Sequence, residues 1–217
     1  METAEPGARR RFSVELVVVI LLGIASVATA YASFQSSLWD SVMSSSYARG
    51  QNMKTEAESI YLEANQQYAQ DAQTYSQLVI LGVDALSTDP AVAADAETKI
   101  AALTMTGVDE VLEAAFEWSN ATGDYPLNSD EYLEARFGEY RALQDQASAY
   151  IAAGDQANGY GDRLTLYTVL LAVALFLLGI AAVVASMTIK RGLIIIGSVV
   201  TAVAIVLTAL VPFTPVG

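Results

Sequence analysis

The chain contains no cysteine and no histidine. That excludes disulfides, thiolate chemistry, imidazole bases and the commonest zinc ligands together. Lysine is scarce, with Lys54, Lys99 and Lys190 the only three. Proline is missing between Leu16 and Asp89, so nothing forces a helix to break there. Gly50 and Gly82 weaken such a helix locally without ending it. No G-x-S-x-G, P-loop, H-E-x-x-H or EF-hand pattern occurs. No cofactor, catalytic residue or metal ligand is therefore assigned.

Three apolar runs dominate what is there: Leu16 to about Ser33, Leu164 to about Met187, and Leu193 to about Val211. Each is long enough to cross a hydrocarbon core of ~30 Å at ~1.5 Å per residue. None carries a charge inside the run. The reading is a three-pass membrane protein, with spans at 14–33, 164–187 and 193–211. Basic residues set the expected orientation. Arg9, Arg10 and Arg11 precede the first span, and Lys190 and Arg191 fall in the expected turn 188–192. Three crossings place both clusters on one side. That side is the cytoplasm, with tail 1–13 inside, 34–163 outside, and tail 212–217 outside. The expected location is the plasma membrane.

Charge is lopsided. Residues 34–162 carry 21 Asp and Glu against 5 Lys and Arg. A segment this acidic excludes electrostatic binding of nucleic acid or of an anionic lipid surface. It fits a high-salt organism, or a genome biased toward Arg and Ala.

The N-terminus has a rival reading. "RRRFSVELVVVILLGIASVATA" has a basic start, an apolar stretch and Ala28-Thr29-Ala30, which matches an A-x-A cleavage site. Against it, Ala25, Ala28, Thr29, Ala32 and Ser33 form one continuous small-residue face, suited to helix packing in lipid. Ala181 with Ala185, and Ala182 with Ser186, offer a similar face on the second span. Tyr31, Phe34, Trp39, Tyr160 and Tyr167 fall where an outer aromatic belt belongs.

Beyond the first span, tyrosines recur at heptad spacing. With Tyr61 as position a, the a line is Tyr47, Lys54, Tyr61, Tyr68, Tyr75 and Gly82. The d line is Gly50, Ala57, Ala64, Asp71 and Leu78. Large residues at a and small ones at d make an uneven coiled-coil seam, with Lys54 and Asp71 as charged exceptions. Asp89 and Pro90 start a second outer helix that runs to about Gly107. A third is expected from Val108 to Ser119. "NATGDYPLN" is the clearest loop, followed by a capping-box pattern at Asn128 and Glu131. The last outer helix carries a second seam through Leu133, Phe137, Tyr140, Gln144, Ala147, Ile151, Gly154, Asn158 and Gly161.

The chain leaves the membrane on one long helix and returns on another. The economical arrangement pairs them antiparallel, with the tyrosine stripe against Phe137, Tyr140 and Ile151. Tyrosine suits a thin bundle because its ring is buried while its hydroxyl reaches water. The outgoing helix reaches ~75 Å for about 50 residues, further than the returning one. Two short helices, or a second copy, must cover the rest. The fold class is all-α: three transmembrane helices plus an extracytoplasmic antiparallel bundle whose long helices continue the first and second spans.

Other features read as structural. Asp109, Glu110, Glu113 and Glu117 resemble hard-cation ligands in type, but no loop supplies converging carbonyls, so a solvated acidic face is expected. Asn120-Ala121-Thr122 matches the glycosylation sequon and makes Asn120 a candidate acceptor. The serines of "QSSLWDSVMSSSY" read as small packing residues. Gly23, Gly179 and Gly197 are the sole breakers inside the spans, and Glu15 is the only acidic residue at the inner rim. A transport pathway within one subunit is not expected.

"SLWDSVMSSSYARGQ" and "GYGDRLTLYTVLLAVALFLLGIAA" resemble segments of a group of uncharacterised prokaryotic three-pass membrane proteins. The shared layout is an anchor, a helical outer segment and a closely spaced membrane hairpin. The resemblance implies topology and no chemistry. A helical sensor ectodomain is similar in layout, but the segments expected inside are too short to signal alone. The expectation is a non-enzymatic membrane protein whose partners are the lipid bilayer and either itself or another membrane protein. An accessory sensing or regulatory subunit and a homo-oligomeric pore are the alternatives.

Overall fold

The computed structural model describes the backbone of residues 6–214 and the side chains of residues 14–214. The side chains of Arg9, Arg10 and Arg11, and the tail beyond Thr214, lie outside the described residues. Those residues are all-helical, with no strand among them. The helices are α1 Pro6–Asp84, α2 Pro90–Gly107, α3 Glu110–Thr122, α4 Asp130–Val183 and α5 Met187–Leu210, with a short 3-10 turn at Pro126–Asn128. Helices α1, α4 and α5 are long and apolar enough to cross a membrane. The chain divides into two compact units, one of Arg49–Tyr150 and the other of the flanking segments up to Ala48 and from Ile151.

In the flanking unit, α1 buries Val18, Ala25 and Ala32 at seven-residue spacing. Helix α4 buries Leu164, Leu171 and Leu178 at the same spacing, together with Ala174 and Ala181. Ala32, Leu171 and Ala204 form the core where α1, α4 and α5 meet. Small residues set the approach. A Cβ at Gly197 would lie 2.8 Å from Leu178 Cγ, and one at Gly154 would lie 2.6 Å from the Tyr47 ring. The buried hydroxyls of Thr201 and Thr208 donate to Gly197 O and Ala204 O of their own helix, both at 2.8 Å. Both hydroxyls are thereby satisfied within their own helix.

After Ala32 the buried line of α1 steps by four residues rather than seven, to Ser36. Such a step locally unwinds a heptad seam. Gln35 and Ser36 are consequently both buried. Ser36 Oγ donates to Gly161 O at 3.1 Å and lies 3.0 Å from Thr165 Oγ1. Trp39 Nε1 donates to Pro212 O at 3.1 Å, and the Trp39 and Tyr160 ring centroids are 4.7 Å apart.

In the Arg49–Tyr150 unit the buried line of α1 is Gly50, Ala57, Ala64 and Asp71. Two expected boundaries shift because side-chain caps choose them. Helix α3 starts at Glu110 rather than Val108, since Asp109 has extended backbone and accepts from Leu112 N at 2.9 Å. Helix α4 takes Ser129 as its cap in place of Asn128, which the 3-10 turn absorbs. Ser129 Oγ accepts from Tyr132 N at 3.4 Å. Asp89 caps α2, accepting from Ala91 N at 2.9 Å, with Pro90 at the first position. Gly123 ends α3 in the left-handed conformation at φ 80°, which glycine adopts without Cβ strain.

The hairpin of α4 and α5 differs from expectation. Helix α4 ends at Val183 and α5 begins at Met187, so the turn is 184–186 rather than 188–192. Nothing in "TIKRG" breaks a helix, and Gly192 alone only weakens one. Lys190 and Arg191 therefore lie in the opening turns of α5. Ala185 falls in the turn and is exposed, so the small-residue pair Ala181 and Ala185 does not share a helix face.

Gly154→Ala is expected to lower the melting temperature of the full chain, costing roughly 1–3 kcal/mol, because the new Cβ meets the Tyr47 ring. Gly159→Ala meets nothing within 4 Å and should raise stability by roughly 0.5–1 kcal/mol. Thermal melts of the two variants in one detergent check the contrast.

Candidate functional site

The one buried carboxylate of the Arg49–Tyr150 unit organises its polar contacts. Asp71 is 1% exposed on α1. Gln67 Nε2, one turn earlier, donates to its Oδ1 at 2.9 Å. Tyr132 Oη donates to its Oδ2 at 2.6 Å, and Arg136 Nε donates to the same oxygen at 3.1 Å. Arg136 Nη2 lies 2.9 Å from Oδ2 and donates to both oxygens of Asp109, at 2.8 and 2.7 Å. Tyr132 and Arg136 sit one turn apart on α4, and the guanidinium lies 5.5 Å from the Tyr132 ring centroid. One arginine thus ties α1, α4 and the capping residue of α3 together.

The electrostatics follow from these contacts. Burial, then the hydrogen bond to Asp71 and its negative charge, pushes the Tyr132 phenol well above its ordinary range. Burial raises the Asp109 carboxyl, but the Arg136 hydrogen bonds, the Leu112 N–H and the Arg136 charge outweigh it and hold the group below its usual value. For Arg136, burial works against the charge, while Asp109, Tyr132 and Asp71 hold it ionised. Four polar contacts occupy the Asp71 carboxylate, so burial of this charge is matched on every side. Chemically this is a clasp: its donors and acceptors are turned on one another.

The tyrosine stripe flanks the inner line. The Tyr61 centroid lies 4.9 Å from Tyr140 and 6.1 Å from Phe137. Tyr68 lies 6.3 Å from Phe137 and 6.2 Å from Tyr132. Tyr75 lies 5.9 Å from Phe116 and 5.2 Å from Tyr125, edge-on. Residue numbers rise along α1 as they fall along α4, so the two helices are antiparallel here. Leu112, Ala115, Leu127 and Tyr132 form the core beneath. In the flanking unit Tyr47 Oη donates to Asp155 Oδ1 at 2.6 Å, and Ile151 is half-buried. The hydrogen bond to Asp155 raises the Tyr47 phenol.

The remaining predicted residues fall as follows. Ala25, Ala32 and Ala181 are fully buried, while Ala28 and Thr29 are half-buried. Lys190 is buried and Arg191 exposed. Asn120 is exposed but lies in the last turn of α3, not in a loop, because Gly123 stops the helix only after Thr122. The sequon hydroxyl of Thr122 already donates to Trp118 O at 2.9 Å. Asp109, Glu110, Glu113 and Glu117 are all exposed, and Asp109 in addition caps α3 and pairs with Arg136. Among the described residues, no group of three or more His, Cys, Asp or Glu could hold a metal ion.

Where α1 nears its end and α2 folds back, the cover is incomplete. Val79, Ile80, Val83 and Leu86 are 49%, 60%, 68% and 85% exposed, and Met105 of α2 is 86% exposed. A groove of about 510 Å³ runs between the two helices, lined by Ile80, Leu81, Ala102 and Leu103 among others. The expectation that two short helices, or a second copy, cover this end leaves open which, and α2 covers it only in part. Sequence reading missed the clasp, whose signal was an aspartate on the small d line facing a Tyr-x-x-x-Arg pair.

Comparison with protein-family models, curated protein sequences and solved structures yields no match to this chain, so its role is read from its own geometry.

Arg136→Met is expected to cost about 3–5 kcal/mol, since it leaves the Asp71 charge buried and unpaired. Adding Asp71→Asn should return much of that loss, measured by denaturant unfolding. Acid titration gives a second outcome. The folded pKa of Asp109 is depressed, so its stabilisation is full above the unfolded carboxylate value and is lost as pH falls through the folded one. Melting curves of Asp109→Asn should lack that part of the acid sensitivity while lying below wild type at neutral pH.

Proposed function

We propose that this chain is a non-enzymatic, multi-pass protein of the plasma membrane whose outer helical segment docks other envelope components or a second copy of itself. The N-terminus is taken as cytoplasmic, with residues 34–163 and the C-terminus outside. The observation that carries the reading is the apolar patch at the end of α1 and on α2. Monomeric soluble surfaces scatter single apolar residues but seldom gather several on adjoining turns, and gathered patches mark interaction sites. Val79 and Ile80 lie one turn before Val83, and Leu86 follows in the connecting loop. The groove beside them, between two antiparallel helices, suits a third helix laid along it.

Charge supports selectivity at this site. Lys99, which lines the groove, is paired with Asp95 at 2.6 Å and also feels the negative charge of Asp84. A partner with an apolar stripe and a neutral or basic rim fits best, because like charges repel across an interface.

Ile80→Glu combined with Val83→Glu is the test. Both side chains are exposed, so the melting temperature should stay within about 0.5 kcal/mol equivalent of wild type. Gently extracted wild type should run above the 23.0 kDa of one chain, with every co-purifying chain identified, and the variant should lose that mass. A wild type that is already a lone monomer in its native membrane extract would overturn the reading.

A further inference from the structure

In the flanking unit, a cavity of about 260 Å³ opens where α4 turns into α5 beside the start of α1. Glu15 of α1, Ala182 and Val183 of α4, Ala185 of the turn and Lys190 of α5 are among its walls. Lys190 is only 9% exposed, although it carries a full charge. Its ammonium makes no hydrogen bond or ion pair among the described residues. Nor is that nitrogen sealed: among the described residues, the closed polar atoms without a partner belong to Gln35 and Thr214. A buried cation with no counter-charge is costly, and such groups are ordinarily paired. Lys190 therefore presents an unsatisfied ammonium to the cavity it lines.

The backbone adds two further sets of unsatisfied groups. No side chain caps α5, and its first intrahelical bond runs from Lys190 N to Ser186 O at 2.9 Å. The amides of Met187, Thr188 and Ile189 thus have no acceptor in the helix, and they carry partial positive charge on the turn before Lys190. At the end of α4 the last bond runs from Val184 N to Ile180 O at 3.1 Å. The carbonyls of Ala182 and Val183 are left over, with partial negative charge. Glu15, exposed on α1, lines the same cavity and does not pair with Lys190. One part of the wall is therefore cationic and another anionic, and no described side chain joins them.

We propose that this cavity binds a phosphoethanolamine group, the headgroup of a zwitterionic phospholipid. The phosphate accepts from Lys190 Nζ and the opening amides of α5. The ammonium donates to the Glu15 carboxylate and the final carbonyls of α4. A plain anion would satisfy Lys190 but meet Glu15 as a like charge, and a plain cation the reverse. The membrane-length stretches of α1, α4 and α5 have limits at Val14, Val183 and Met187, so the cavity lies at headgroup depth. This inference rests on the reading of those helices as membrane spans and not on the α1–α2 docking patch.

The test uses the full chain in a mild detergent, titrated with dioleoyl phosphatidylethanolamine, phosphatidylglycerol or phosphatidylcholine and followed by native mass spectrometry. Wild type should hold phosphatidylethanolamine roughly threefold to tenfold more tightly than either of the others, since the glycerol headgroup has no ammonium and the choline one no N–H donors. Glu15→Gln should abolish that preference without weakening phosphatidylglycerol. Lys190→Gln should weaken all three lipids roughly threefold to tenfold, while melting no lower than wild type without lipid, because it removes an unpaired charge. Tightest binding of phosphatidylglycerol by wild type would make this a plain anion site and overturn the proposal. So would a phosphatidylethanolamine preference that survives Glu15→Gln, or unchanged lipid binding in Lys190→Gln. Equal binding of the three lipids by wild type would leave water between the charges and likewise overturn it. Glycerophosphoethanolamine at equal concentration should fail to displace the lipid; displacement would assign the site to a soluble ester and overturn the lipid as its occupant. Partitioning of the chain into a detergent phase, measured alongside, tests the reading of membrane spans by itself.

Discussion

Long helices approach closely only where one of them gives up side-chain volume, and α1 does so once every seven residues. Ala25 and Ala32 in one unit, and Gly50, Ala57 and Ala64 in the other, keep its inner line thin. The tyrosines then need not be buried whole. They lean across the seam beside the small residues and meet Phe137, Tyr140 and Phe116 at ordinary aromatic distances. Each such contact contributes on the order of 0.5–1.5 kcal/mol beyond its burial. The same spacing in α4, from Leu164 to Leu178, lets the membrane-length segments use one packing rule.

Asp71 is the exception that gives the seam its register. It occupies a position where every earlier member is alanine or glycine, and a charge there tolerates only one alignment of the facing helices. Tyr132, Arg136 and Gln67 must all reach it at once. Slipping α4 by one residue would rotate that pair away and leave the carboxylate bare. A polar group inside a heptad seam commonly trades stability for a single alignment, and this clasp has the geometry for it. The step from Ala32 to Ser36 is a second departure from strict spacing. It turns Gln35 and Ser36 inward together, which is why polar side chains are buried at the end of an apolar span.

Most of the architecture was legible because it rests on period and punctuation. Three uncharged runs, the proline-free stretch to Asp89, the Asp89-Pro90 start and Gly123 each map onto a helix or its end. Of the heptad lines, Gly50, Ala57, Ala64 and Asp71 of the d line turn out buried, whereas Lys54 and Tyr61 of the a line are exposed. What could not be read was choice among neighbours. Asn128 and Ser129 both cap well in principle, and Val108 and Glu110 are only two residues apart. Tertiary contacts decided each case. The hairpin turn at 184–186 has no breaker residue to announce it. The clasp was hidden for a related reason: pairing Asp71 with Arg136 requires knowing which face of α4 meets α1. The apolar patch stayed hidden because α2 covers one side of α1 and sequence does not say which.

The seven-residue inner line also bears on how this chain can vary in length. Inserting one residue between Gly50 and Asp71 would turn everything beyond it by ~100° and carry the tyrosines off the seam. Seven residues would return the face to its place, but Asp71 would then sit a heptad further from Arg136. Only a matched seven in α4, between Arg136 and Tyr150, would bring the two back together. Lineages of this protein should therefore grow or shrink in paired sevens along these helices, and freely only in the loops at 85–89 and 123–125.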